Sequence, residues 1–142
     1  MKIIRITTDN EISVHEFPEG NYREQNKALK SLIGPECEML EHVMPKRLYN
    51  AFGASNTVKK EAGSCANMLV DEEGYYHELP VNMVGSWLYG TDEHGYPIIG
   101  NILIVGEYLN GMGIDFSGLS EEQFDLLYPQ LKKVVEKARS MR

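Results

Sequence analysis

The run Pro97-Ile98-Ile99-Gly100-Asn101-Ile102-Leu103-Ile104-Val105-Gly106 constrains this chain more than any other stretch. A strand with one wet face alternates apolar and polar residues. This run does not alternate, so it reads as a strand buried on both faces.

The residues leading into it read as a hairpin and a short helix. Met68-Leu69-Val70 is strand-like, Asp71-Glu72-Glu73-Gly74 offers a turn, and Tyr75-Tyr76-His77-Glu78-Leu79 reads as the returning strand. Gly74 is the expected positive-φ residue of that turn. Pro80 cannot donate to a ladder and ends the strand. Asn82 can cap a helix over 83–89, which Gly90 ends. Thr91 to Tyr96 is polar and reads as a loop.

At 142 residues the chain fits one domain with one core, residues 1–142. Eight Tyr, four Phe and one Trp argue for a folded globule. The net charge of −7 weighs against phosphate binding, so nucleic acid is not the expected partner. Cys37 and Cys65 match no metal or redox spacing and read as buried thiols of a reducing cytoplasm. The apolar start Ile3-Ile4 is too short for a signal peptide, and no segment approaches the ~20 apolar residues of a membrane span. The expected setting is the cytoplasm.

From the N-terminus, Ile3 to Thr8 and Ile12 to Phe17 form a hairpin about Asp9-Asn10. Asn21 and Glu24 are placed as a capping box for a helix over 22–33, with Tyr22, Leu29, Leu32 and Ile33 on its apolar face. Gly34-Pro35 stops it. Met39, Leu40, Val43 and Met44 suit a helix by spacing, but 36–44 is short and follows Gly34-Pro35 directly, so the strand reading, closed by Pro45, is taken with the helix as its alternative; 46–64 reads as an irregular excursion with room for a helical turn. Long loops in compact domains are often functional, so this one is a candidate contact region.

Ser120 and Gln123 make a second capping box, with Leu119 and Phe124 as its hydrophobic staple. Phe124, Leu127, Leu131, Val134 and Ala138 share a helical stripe that Pro129 interrupts, predicting a kinked helix or two short ones over 120–140. Lys132, Lys133, Lys137 and Arg139 suit the helix C-terminal end. Residues 119–142 hold five basic and four acidic groups, so the acidic excess lies in the rest.

Chemistry-bearing patterns are few. His15, His42, His77 and His94 show no metal-ligand spacing; ligation by some of them with Asp92 or Glu93 is weaker than their reading as ordinary surface histidines. Neither cysteine has an electropositive neighbourhood. No GxGxxG or P-loop occurs, and Gly106 and Gly111-Met112-Gly113 read as a strand end and a flexible loop. No catalytic residue, metal site or cofactor is expected. The aromatic set Tyr75, Tyr76, Trp87, Tyr89 and Tyr96, with Asn82 beside it, is the candidate binding site. Strand alternation would place Tyr75 and Tyr76 on opposite faces, one of them exposed to a base or a protein. The competing reading packs the whole set between hairpin and helix.

Leu32-Ile33-Gly34 with Cys37-Glu38, Val70-Asp71-Glu72-Glu73-Gly74, Leu79-Pro80-Val81-Asn82 and Ile99-Gly100-Asn101-Ile102-Leu103-Ile104-Val105-Gly106 resemble a family of small bacterial and phage proteins that share a domain of unknown function. Its members occur largely in conjugative elements, plasmids and prophages of Gram-positive gut bacteria. The resemblance covers roughly residues 1 to 127 and implies fold and origin, with no catalytic residue to carry over.

The expected fold is a single α+β domain. Its mostly antiparallel sheet is covered by the helix at 22–33 and the C-terminal kinked or split helix. The first functional expectation is a non-enzymatic accessory protein of a mobile element that binds a protein partner. A small-ligand, nucleotide-type sequestering protein is the second. An enzyme of unrecognised type is the third, and a DNA mimic the weakest. Oligomeric state is not readable.

Overall fold

The structure is a computed structural model that describes residues 1–141. Arg142, the last residue of the expected domain, lies outside the described residues. The chain is α+β. Its strands are β1 (Lys2–Ile6), β2 (Ile12–Glu16), β3 (Leu40–Val43), β4 (Cys65–Asp71), β5 (Ile102–Asn110) and β6 (Gly113–Ser117). They form one antiparallel sheet of order β2-β1-β5-β4-β3, with β6 paired to β5 beyond the end of β1.

The central run behaves as its composition demands. Ile102 and Ile104 face one side of the sheet, and Leu103 and Val105 the other, all at 0% exposure. Helix α1 (Tyr22–Ile33) covers the second face, where Leu29 and Ile33 pack with Ile3, Cys37 and Leu69. Helices α2 (Lys46–Asn50), α3 (Met83–Tyr89) and α5 (Glu121–Ser140) cover the first, packing Leu48, Val84, Leu88, Leu127, Leu131 and Val135 against Ile4, Met68 and Ile104. Each such side chain contributes about 2 kcal/mol on burial, which is why this strand sits in the middle of three layers.

Local signals place the helices. Asn21 and Glu24 form the reciprocal capping box of α1. Asn82 caps α3, and Gly90 ends it in the left-handed region at φ 87°. Ser120 caps α5, but only its half of the expected box forms, because the Gln123 side chain turns to the Ser55 amide at 3.0 Å. Tyr22, expected on the apolar face of α1, is 70% exposed.

Several expectations are corrected. Residues 72–78 are successive turns, so 75–79 is not a returning strand. Asp71, buried at the end of β4, accepts the Glu73 amide and the His77 ring, and His77 N–H bonds Glu73 C=O, so the segment closes on itself. Glu78, not Gly74, takes the positive φ there, at 54°. Residues 97–101 pair with the approach to α3, through Asn82 N–H to Ile98 C=O and Gly100 N–H to Pro80 C=O, so β5 begins only at Ile102. It continues to Asn110 and turns through Gly111-Met112 into β6, where a flexible loop was expected. Within the polar Thr91–Tyr96 stretch stands α4 (Thr91–His94), a single turn. Of the two readings of the C-terminus the single helix holds, since α5 runs unbroken through Pro129, and the one change is that Val135, not Val134, completes its buried stripe.

Candidate interaction surface

The apolar stripe on α3 is double. Val84 and Leu88 point into the core, whereas Met83 and Trp87, one turn apart, point outward at 44% and 38% exposure. Beside them Val134, Lys137, Ala138 and Met141 of α5 and its end complete a groove of about 340 Å³. Its walls are mostly carbon, with Lys137 as the charged group among them.

Trp87 is held from its other side. The Arg47 guanidinium lies 5.0 Å from the indole centre, donates to the Trp87 carbonyl at 2.8 Å and grips Asp92 through both nitrogens at 2.6 and 2.7 Å. Lys46 pairs with Glu93 next to it. These cations hold the Asp92 and Glu93 carboxyls below their ordinary range, and Asp92 in turn raises the guanidinium. The Phe52 ring meets Trp87 at 5.8 Å. Farther along, His94 packs edge-on to Tyr89 at 4.8 Å and against Tyr96 at 5.4 Å, and Tyr96 is 70% exposed.

The fold therefore brings Trp87, Tyr89 and Tyr96 onto the α3–α4 corner. Asn82 belongs underneath it, wholly buried: its Oδ1 accepts the Gly85 amide, and its Nδ2 donates to Ile6 and Gly100 carbonyls. It builds the surface without facing it. Tyr75 and Tyr76 stand apart on the 72–78 turns, 79% and 80% exposed, their rings edge-to-face at 6.1 Å. With no strand to alternate along, both point to solvent. Sequence reasoning placed Arg47 and Phe52 only within the broad 46–64 candidate region and missed Met83, Val134 and Met141, because their shared surface is made by contacts far apart in sequence.

A polar cluster lies on the sheet face that α1 covers. Glu107, 3% exposed, accepts Asn67 Nδ2 at 2.6 Å and lies 3.6 Å from His42 Nε2. Burial pushes the Glu107 carboxyl up, but His42 and Asn67 outweigh it and leave it below its ordinary value. The carboxylate raises His42 in return, and Asp71 raises His77. Cys65 stands 3.9 Å from the same Glu107 oxygen. Burial drives the Cys65 and Cys37 thiols up to about 11, so both are protonated at neutral pH and poor nucleophiles. Among the described residues both cysteines are free thiols, and no three His, Cys, Asp or Glu side chains converge as metal ligands. Among the described residues no helix is long and apolar enough to cross a membrane.

In comparisons with known proteins, no family model, no curated protein and no solved structure matches this chain.

Proposed function

We propose that this is a non-enzymatic binding protein whose α3–α5 groove takes an apolar side chain from a protein partner. The observation that carries the reading is the outward stripe of Met83 and Trp87 beside Val134 and Met141, with Trp87 fixed by Arg47. An indole held in place before binding loses little side-chain freedom on complex formation, the property of an interface anchor. Lys137 of α5 is the charged side chain on the groove wall, and it is cationic. The fitting partner segment carries an apolar anchor flanked by Asp or Glu. A cytoplasmic setting, argued from the two unpaired cysteines, and an accessory role in a plasmid, conjugative element or prophage, which rests on the resemblance, are part of the same proposal.

The test is a selection from a displayed random-peptide library. Peptides with an apolar anchor and acidic flanks should emerge, and Met83→Glu and Trp87→Ala should each weaken them by about tenfold or more. Selected peptides that bind both variants as well as the parent chain would remove the groove from consideration.

A further inference from the structure

A second cleft opens on the other side of the molecule, between α1 and the β5–β6 hairpin, and encloses about 440 Å³. That lies within the ~300–1,000 Å³ usual for small-molecule sites. Four aromatic rings line it: Phe17, Tyr22, Tyr108 and Phe116. Between them stand two carboxamides on successive residues of α1, Gln25 and Asn26.

Gln25 and Asn26 are partly exposed residues, and neither side-chain amide has a hydrogen-bond partner among the described residues. An amide on a cleft wall without protein partners offers a donor pair and an acceptor to whatever fills the space before it. That paired edge matches the adjacent donor and acceptor of a nucleobase, which Asn and Gln read bidentately. The rings supply stacking faces for the planar base. The two charged residues on the cleft wall, Lys60 and Asp115, are of opposite sign, so the wall is close to neutral and does not favour a polyanion.

We infer that the α1/β5–β6 cleft binds a neutral nucleoside, its base stacked among the aromatic rings and its hydrogen-bonding edge read by Gln25 and Asn26. The site is separate from the α3–α5 groove in residues and in chemistry. It gives the protein a small-molecule ligand in addition to its protein partner.

Saturation-transfer NMR on the full chain tests this, with adenosine, guanosine, cytidine and uridine as probes at millimolar concentration and the matching 5′-triphosphates beside them. At least one nucleoside should receive saturation through its base protons and bind more tightly than its triphosphate. Tyr22→Ala removes a ring that is 70% exposed, so the fold is not at risk. Asn26→Leu nearly keeps the side-chain shape and raises helix propensity while removing the amide. Each should weaken the nucleoside by about tenfold, whereas Trp87→Ala should leave it unchanged. The inference is overturned if no nucleoside gives transfer, if a triphosphate binds better than its nucleoside, or if the Tyr22 and Asn26 variants bind like the parent chain. Loss of binding in Trp87→Ala would overturn it as well, by placing the nucleoside at the groove.

Discussion

The Asn82 side chain accepts the Gly85 amide at 2.8 Å and so starts α3, the helix that presents Trp87. The same side chain donates to the carbonyls of Ile6 in β1 and Gly100 before β5, at 3.1 and 3.0 Å. A helix cap worth about 1 kcal/mol is thus fused to a buried two-way clamp on the sheet. Asn82→Ala removes the cap and leaves buried carbonyls short of a donor, so it should cost about 3 kcal/mol. Urea unfolding measures it. A loss near that of an exposed cap would mean that water replaces the clamp.

The two thiols give a second expectation. Buried and pushed up to about 11, Cys37 and Cys65 should react with a thiol reagent only as fast as the protein opens. Their alanine variants should shift the melting temperature and leave peptide binding unchanged. Rapid labelling of the native protein at neutral pH would contradict this.

Stability should also fall from about pH 6 to about pH 8. His42 is raised from 6.5 by the Glu107 carboxylate, so its contribution is complete below that value and is lost as pH rises through its folded pKa. Glu107 is lowered from 4.5, so its contribution is complete above that value and is lost as pH falls through its own folded pKa. The pair is therefore at full strength between 4.5 and 6.5. His77 beside Asp71 slopes the same way as His42. With His42 half exposed, its share is at most about 1 kcal/mol. His42→Gln and His77→Gln should each flatten part of the slope, read from urea midpoints at the two pH values. An unchanged slope in the double variant would assign the effect elsewhere.

Tyr75 and Tyr76 make a cleaner case than alternation would have allowed, because both are about four-fifths exposed and neither belongs to the core. Replacing both by Ala should leave the unfolding free energy within about 0.5 kcal/mol. If the 72–78 turns join the partner interface, the same double variant weakens peptides selected on the groove; if they do not, only groove variants do. A large stability loss would show that the turn depends on these rings.

The sequence carried the sheet and most helices because their signals are local. Asn21 with Glu24, Asn82 before Met83 and Ser120 with Gln123 are caps readable within four residues, and Ile102 to Val105 declares two-sided burial by itself. The failures share a different physics. Residues 75–79 follow a turn signal and read as a returning strand, yet the buried Asp71 draws His77 back over six residues and the chain coils. The surface around Trp87 depends on Arg47, forty residues away, and on Met141 at the far end of the chain. Aromatic composition marked Trp87, Tyr89 and Tyr96, but only tertiary contact joined Trp87 to Phe52 and to the groove.

Gly106 shows the same limit and gives the last prediction. Read along the chain it looks like a strand end, but it lies inside β5, paired with Ala66 on one side and Ser117 on the other. A Cβ there would collide with the Gly118 carbonyl oxygen and fall 2.6 Å from the Gly63 Cα. Those are backbone atoms, which cannot rotate aside as a side chain does. Three glycines from β5, the 51–64 excursion and the turn before α5 thus meet where no side chain fits, and the Ser120 amide bonds Gly63 C=O at 3.0 Å across the same junction. Gly106→Ala must push these segments apart and should cost about 3 kcal/mol. Gly113→Ala is the matched control: it is also in the hairpin, but its nearest neighbour would be 3.9 Å from the new methyl, and it should change little. Thermal melts of the two variants decide between close packing and simple strand propensity. Equal losses would mean that the junction yields, and a Gly106→Ala loss several times larger would mean that it does not.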